Sequence, residues 1–313
     1  MPYFTNAFSS MAGWSRLFLL PFLFRESLNV GWLIWMLKPA RKLRADLMFN
    51  RATILFATVI SVLTVGDTHT IGVEMDYSAY VRVLETFVDE KGNVDYAALA
   101  GNGRDLRIFT TLLSNLSPHS HPDSFKQESS RLAYWINAYN ALVLKGVVVA
   151  YPVDSVKDIK EQMGFFSQTY YAVGGERLSL NDIEHKILRK VFDEPRIHAA
   201  INCASVACPP LSRNVYRSED LEAQLETAMR TFVLEKVRLD RENRMVVLSK
   251  IFDWFGGDFT GWYKRKKGVE NAHILDYIGL YLELDGRSFV GVAQRPSVRY
   301  EAYDWKLNDQ HPD

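Results

Sequence analysis

The chain has 313 residues, 48% hydrophobic and 24% charged, with 37 basic and 37 acidic side chains. That balance argues against disorder and provides no basic surface for a polyanion, so nucleic acid is not expected as a partner. No phosphate-binding loop ending in Gly-Lys-Ser/Thr, no Gly-x-Gly-x-x-Gly fingerprint and no repeat of about 20 to 50 residues is present, which removes the usual handle for nucleotide chemistry.

In chain order, residues 1–47 form an uncertain hydrophobic and basic extension. Its apolar stretches, Leu17 to Phe24 and Leu28 to Leu37, are split by Arg25 and Glu26, and neither spans a bilayer alone. They read either as a membrane-surface segment or as sequence upstream of a true start at Met48. Residues 48–66 have the form of a signal peptide or membrane anchor: Lys38, Arg41, Lys42, Arg44 and Arg51 precede an uncharged stretch from Ala52 to Gly66. Its apolar run of about 14 residues is short for a spanning helix, and Thr64 and Gly66 fit a cleavage site. No cysteine follows directly, so a lipoprotein anchor is not expected. The chain is therefore expected to be extracytoplasmic, periplasmic or envelope-located, with membrane association through its N-terminal region.

The globular pattern starts near Asp76. Tyr77, Tyr80, Val81, Leu84 and Phe87 have helical spacing, Asp89 to Tyr96 is a turn entering an extended piece, and Arg104 to Leu116 is a second helix ended by Ser117-Pro118. Leu132 to Val149 is a helix apolar on nearly every side, hence central to the core. Tyr170 to Val173, Gly174-Gly175 and Arg177-Leu178 predict a hairpin. Ser179 to Phe192 is a helix with Ser179 and Asp182 spaced as a capping box. Ile197 to Asn202 reads as a short strand, and Ser218 as the cap of a helix to about Glu235. Val237 to Leu239 and Met245 to Leu248 form a second hairpin. Ile251 to Tyr263 and His273 to Leu282 read as helices. Helices outnumber strands without regular alternation, so the fold class is α+β: a mostly helical single domain, 76–285, with a small mixed or antiparallel sheet, followed by a C-terminal extension, 286–313.

Three motifs stand in order: YWINAYNALVLKGVV at 134–148, Phe165-Phe166 followed by LSLNDIEHKILR at 178–189, and PRIHAAINCASVACPPL at 195–211. With them the chain resembles the domain of unknown function 547 family over about Asp76 to Leu284, and the run YDWKLND at 303–309 resembles the tail of its bacterial members. The resemblance implies a cysteine-centred site and brings no assigned activity.

Cys203 and Cys208 are the only cysteines. They read as a disulfide, which needs a turn between them, helical because Ala-Ser-Val-Ala carries no glycine; as a thiol site, with Cys203 at a strand end facing backbone N–H groups; or as ordinary buried thiols. His198 is the tempting base. In a continuous strand, however, it and Cys203 would point to opposite faces, so contact requires a turn at Asn202. Glu184 falls within the apolar stripe of its helix, so its carboxyl must be paired or keep its proton, and a tie to Arg or Lys is favoured. His185, on the flank, is either a second base or idle. Asn137 and Asn140 share one face of the apolar helix and must find hydrogen-bond partners, either loop backbone or a reacting group; Tyr134 is placed similarly. No paired C-x-x-C or H-x-x-x-H element accompanies these residues, so neither a metal nor a cofactor is expected. Two functions follow. One is a thiol-dependent hydrolase or acyltransferase on a small-molecule or peptide substrate, with Cys203, His198, His185, Glu184, Asn137 and Asn140 as its site; the other is a non-catalytic envelope binding or scaffold domain stapled by a Cys203–Cys208 disulfide.

Overall fold

The apolar run around Leu132 to Val149 folds as a 23-residue helix, Glu128–Ala150. Length and composition alone would let it cross a membrane, but 78% of its apolar window is buried inside the protein. An all-round hydrophobic helix has no solvent face, so the other elements must wrap it. The computed structural model describes residues 74–311; the segments 1–47 and 48–66 lie outside the described residues.

The elements that wrap it run in order. Helices α1 (Ser78–Phe87), α2 (Tyr96–Gly101) and α3 (Arg104–Asn115) precede the central helix α4 (Glu128–Ala150); short helices α5 (Val156–Ile159) and α6 (Gly164–Ser167) lead to the antiparallel hairpin β1 (Tyr170–Val173) and β2 (Glu176–Ser179). Gly174 and Gly175 both have positive φ, as a two-residue hairpin turn of this hand requires. A π-helical segment, Asp182–Leu188, continues into α7 (Arg189–Val191), followed by α8 (Ile197–Ala200). Asp182 accepts from the Ser179 backbone N–H at 2.9 Å, and the Asp182 N–H donates to Ser179 Oγ at 3.1 Å, which is the expected capping box.

The rest builds a second apolar cluster. It contains α9 (Leu221–Lys236), β3 (Val237–Asp240), β4 (Met245–Leu248), α10 (Ile251–Trp254), α11 (Gly256–Lys267), α12 (Ile274–Ile278), α13 (Leu284–Val290) and β5 (Ser297–Tyr300). β3 and β4 pair antiparallel and β5 adds to β4 in parallel, so this three-stranded sheet is mixed. The fold is α+β. The segment after β5 returns across the first cluster: Ser155 bridges Lys306, Ser205 bridges Leu307 and Val94 bridges Asp309.

Three local expectations are corrected. Residues 197–202 are not a strand. Ile197–Ala200 is a helical turn, with the Ile201 N–H bonded to Ile197 O at 3.0 Å, and the chain becomes extended only at Ile201. A six-residue apolar run does not separate strand from helix by periodicity, and here Pro195 pre-sets the turn while two alanines favour it. Ser218 does not cap α9: Asp220 occupies that position and Ser218 Oγ bonds Ser129 Oγ at 2.7 Å. The helix expected over 251–263 breaks at Phe255 into α10 and α11.

Gly146, inside α4, is required by a close approach. A Cβ there would fall inside contact distance of Tyr171 Oη and the Phe165 ring. Gly146→Ala should therefore destabilise the protein by about 1–3 kcal/mol through overpacking, although alanine is the better helix former. Urea unfolding of the variant checks this; unchanged or raised stability would mean that β1 and α6 do not press on this point.

Candidate functional site

The loop after α8 is fixed from below by α4. Asn140 donates Nδ2–H to Ala200 O at 2.9 Å and accepts the Asn202 N–H on Oδ1 at 2.8 Å, so one amide holds both ends of the turn that precedes Cys203. One helical turn earlier, Asn137 does the same for Tyr216, donating to its carbonyl at 2.8 Å and accepting its N–H at 3.0 Å. Tyr134 donates to Leu116 O at 2.7 Å. All three buried polar groups are satisfied by loop backbone.

Asn202 continues the construction. Its Oδ1 accepts the Ala204 N–H at 2.7 Å and its Nδ2–H donates to Pro209 O at 2.8 Å. Ala204 is held at φ 62°, the left-handed region that disfavours a side chain, and a turn then closes between the cysteines with the Cys208 N–H on Ser205 O at 2.9 Å. Gly92, at φ 77°, lies against Pro210 and the Leu211 backbone, where a Cβ would not fit. The loop is thus clamped between α4, the Gly92 turn and the C-terminal segment. That segment receives the Val206 N–H at Lys306 O (2.9 Å) and the Ala207 N–H at Asp304 O (3.2 Å).

Cys203 and Cys208 form a disulfide, with Cα atoms 6.3 Å apart. Hydrogen-bond donors surround it. The Cys203 N–H donates to Cys208 Sγ at 2.9 Å, Tyr303 Oη lies 3.1 Å from each sulfur, and Ser205 Oγ lies 2.8 Å from Cys203 Sγ. Disulfide sulfurs carry no hydrogen, so in any sulfur–hydroxyl hydrogen bond the hydroxyl donates; Ser205 Oγ also donates to Tyr303 Oη at 3.4 Å, so the two hydroxyl protons are shared among these acceptors. Cys208 is buried, whereas Cys203 is half-buried.

The histidines belong to a different cluster. His198 Nε2 lies 2.8 Å from Asp258 Oδ2, and Arg189 grips the same carboxylate with Nε at 2.6 Å and Nη2 at 3.0 Å. Burial would raise the Asp258 carboxyl, but the hydrogen bonds from His198 and Arg189 hold it far below the usual carboxylate range. An ionised carboxylate only accepts, so His198 carries its proton on Nε2. Burial pushes the His198 imidazole below its ordinary value despite Asp258. Its ring stacks on Phe255 with centroids 4.1 Å apart. Arg189 Nη1 donates to His185 Nδ1 at 3.0 Å, which occupies the lone pair that His185 would need as a base; burial and Arg189 together push its pKa down. Neither imidazole hydrogen-bonds Cys203, whose sulfur faces Ser205 and Tyr303.

Glu184 lies beside the histidine cluster. The π-helical turn, with the Arg189 N–H bonded to Glu184 O five residues back, widens the helix so that Glu184 faces inward while His185 and Arg189 remain together outside. Tyr139 donates to Glu184 Oε2 at 3.2 Å, and His185 Nδ1 lies 4.0 Å from Oε1. Burial raises the Glu184 carboxyl to about 7 against the lowering effects of Tyr139 and Arg189. Its direct partner is a tyrosine rather than the expected Arg or Lys. Among the described residues no three His, Cys, Asp or Glu side chains converge as a metal site would need.

Residues 122–233 match the family described as Protein of unknown function, DUF547. Over this segment the chain is similar to the DUF547 family. No curated protein and no solved structure matches the chain. The DUF547 segment contains all six residues singled out from the sequence, but Asp258 and Tyr303, which complete the two clusters, lie beyond it. Sequence reasoning missed Asp258, sixty residues from His198, because an acidic residue on an amphipathic helix carries no signal of its own. Tyr303 opens the run YDWKLND, so a signal for it was present, though nothing in that run pointed to the sulfurs. Arg189 closes the second DUF547 motif at helical spacing from His185.

Below pH about 4.5 Glu184 is protonated in both the folded and the unfolded chain; between about 4.5 and 7 only the unfolded chain releases the proton, so its burial costs stability as pH rises. Glu184→Gln should remove that cost, gaining up to about 2.5 kcal/mol more over the wild type at pH 8 than at pH 5. Urea unfolding at both pH values reads the difference, and an equal effect at both would contradict a buried, proton-holding Glu184.

Proposed function

We propose that the domain carries a disulfide-gated thiol centre that works in the cell envelope. In its closed form Cys203 and Cys208 are bridged; opened by an external dithiol, Cys203 becomes the nucleophile of a thiol-dependent hydrolase or acyltransferase acting on a small-molecule or peptide substrate. The supporting observation is the polar groups at the sulfurs: the Ser205 and Tyr303 hydroxyls beside Cys203 Sγ, and the Cys203 N–H with Tyr303 Oη beside Cys208 Sγ. A staple needs no such donors. Donors stabilise thiolate over thiol and so favour both the opened form and its nucleophilicity. Partial exposure of Cys203 with burial of Cys208 makes Cys203 the attacked sulfur and Cys208 the leaving one. The signal-like segment at 48–66 and the disulfide itself favour an oxidising compartment.

A specific observation keeps the scaffold reading alive. Clefts of about 360 Å³ beside β2 and about 50 Å³ beside Arg189 are both lined without Cys203 or Cys208. Asn137, Asn140, Asn202 and Tyr134 are all spent on backbone.

The two readings separate on the stability of the bond. Structural disulfides have potentials below about −300 mV, and labile ones lie above. In glutathione and dithiothreitol buffers, with released thiols alkylated and counted by mass, the midpoint is expected above about −300 mV, and an electrophilic acyl probe is expected to label Cys203 only after opening. A midpoint well below that value, with no labelling of the reduced protein, would leave only the staple.

A further inference from the structure

The last turn of α11 is the longest run of basic residues in the chain, Lys264-Arg265-Lys266-Lys267, and every residue from 264 to 271 is exposed. Buried Phe259, together with Trp262 set edge-on to Tyr277 at 5.6 Å between centroids, roots the helix in the second apolar cluster and leaves this end outside it. Arg265 grips the Asp193 carboxylate, which ties the chain at the end of α7, with exposed Lys190 and Val191, to the same patch. Two apolar side chains stand open there: Val191 is 61% exposed and Val269 is 40%. Arg265 is the one cation of the run with an ion pair among the described residues. The acidic residues beside the run are Asp193, spent on Arg265, and Glu270, so cations are in local excess although the chain as a whole is balanced.

Helix stability does not account for this run. A cation near the end complements the negative pole of the helix, and Gly268, left-handed at φ 67°, already closes that end with its N–H on Lys264 O at 2.9 Å. Lys264 and Lys267, three apart and alike in charge, repel each other, so the helix loses by having both. We propose that this end of α11, with the adjoining Lys190 and Val191, is a docking face for the anionic surface of a phospholipid bilayer. The lysines meet headgroup phosphates in the negative surface potential, and Val191 and Val269 enter the interfacial layer. Trp262 and Tyr263, half-buried in the same turn, are the ring types that settle at headgroup level. The open valines favour a bilayer over a soluble polyanion, because apolar side chains gain from leaving water at the interface and add nothing to a purely ionic contact. The face is distinct from the N-terminal segments expected to associate with a membrane. A weak membrane element becomes a stable attachment when a polybasic patch is added to it. The face is also independent of the thiol centre.

The test compares the full chain with the variant Lys264→Gln/Lys266→Gln/Lys267→Gln on vesicles of phosphatidylcholine alone and of phosphatidylcholine and phosphatidylglycerol in equal parts. The N-terminal segments are common to both proteins, so their contribution cancels. On the anionic vesicles at low salt the wild type is expected to partition on the order of 100-fold more strongly than the variant, and the gap is expected to close as salt rises. On neutral vesicles the two are expected to match. Should the N-terminal segments saturate binding on every vesicle, a footprint on the wild type decides. In lysine acetylation read by mass spectrometry, the anionic bilayer is expected to slow modification of Lys264, Lys266 and Lys267 severalfold relative to the neutral one. Equal, unsaturated partitioning of the two proteins on anionic vesicles overturns the proposal, and so does a footprint that is the same on both kinds of vesicle. Retention of the wild type but not the variant on heparin, with no response to lipid charge, would assign the patch to a soluble polyanion and overturn the bilayer as its partner.

Discussion

The geometry around the cysteines depends on one buried amide. Asn140 sits in the middle of a helix that is apolar on every side, and it bonds Ala200 O and the Asn202 N–H together. Removing it would leave a buried carbonyl and a buried N–H unsatisfied, at about 1–3 kcal/mol each. Because α4 is rigid and surrounded, the backbone at 200–202 inherits its position. From there Asn202 ties Ala204 and Pro209, Ala204 takes its left-handed turn, and the two cysteines meet. The central helix therefore places the disulfide without touching it, while the C-terminal segment supplies the hydroxyl that does.

Electrostatics divides the polar residues into two groups. His198, Asp258, Arg189 and His185 form a linked set of hydrogen bonds, with Phe255 stacked on the His198 ring. Such a set orients and stabilises, and none of its members hydrogen-bonds the sulfurs. Cys203, Cys208, Ser205 and Tyr303 form the other set. Glu184 lies beside the first set, where a π-helical turn faces it inward while its neighbours in sequence remain outside. A widened turn of this kind is less favourable than an α-helical one and recurs at functional positions.

Much of this was legible in the sequence, for identifiable reasons. The all-round apolar helix, the backbone role of Asn137 and Asn140, the Ser179–Asp182 capping box and the burial of Glu184 follow from periodicity and from the need to satisfy buried polar groups. The helical turn at 197–200 was not legible, since a short apolar run fits either secondary structure and the parity argument for His198 presupposed a strand. The left-handed Ala204 was hidden because a non-glycine residue there is favoured only by tertiary bonds from Asn202. Asp258 and Tyr303 reach their partners over 60 and about 100 residues of chain, and no local pattern encodes such a contact.

The central claim, that the Ser205 and Tyr303 hydroxyls make Cys203 an activated sulfur, is tested most directly in the Cys208→Ser variant, where Cys203 is left as a free thiol. The rate of its alkylation from about pH 5 to 10 gives its ionisation midpoint. An activated site predicts a midpoint clearly below the ordinary thiol value of about 8.5. A midpoint at or above that value, in a folded variant, would contradict it.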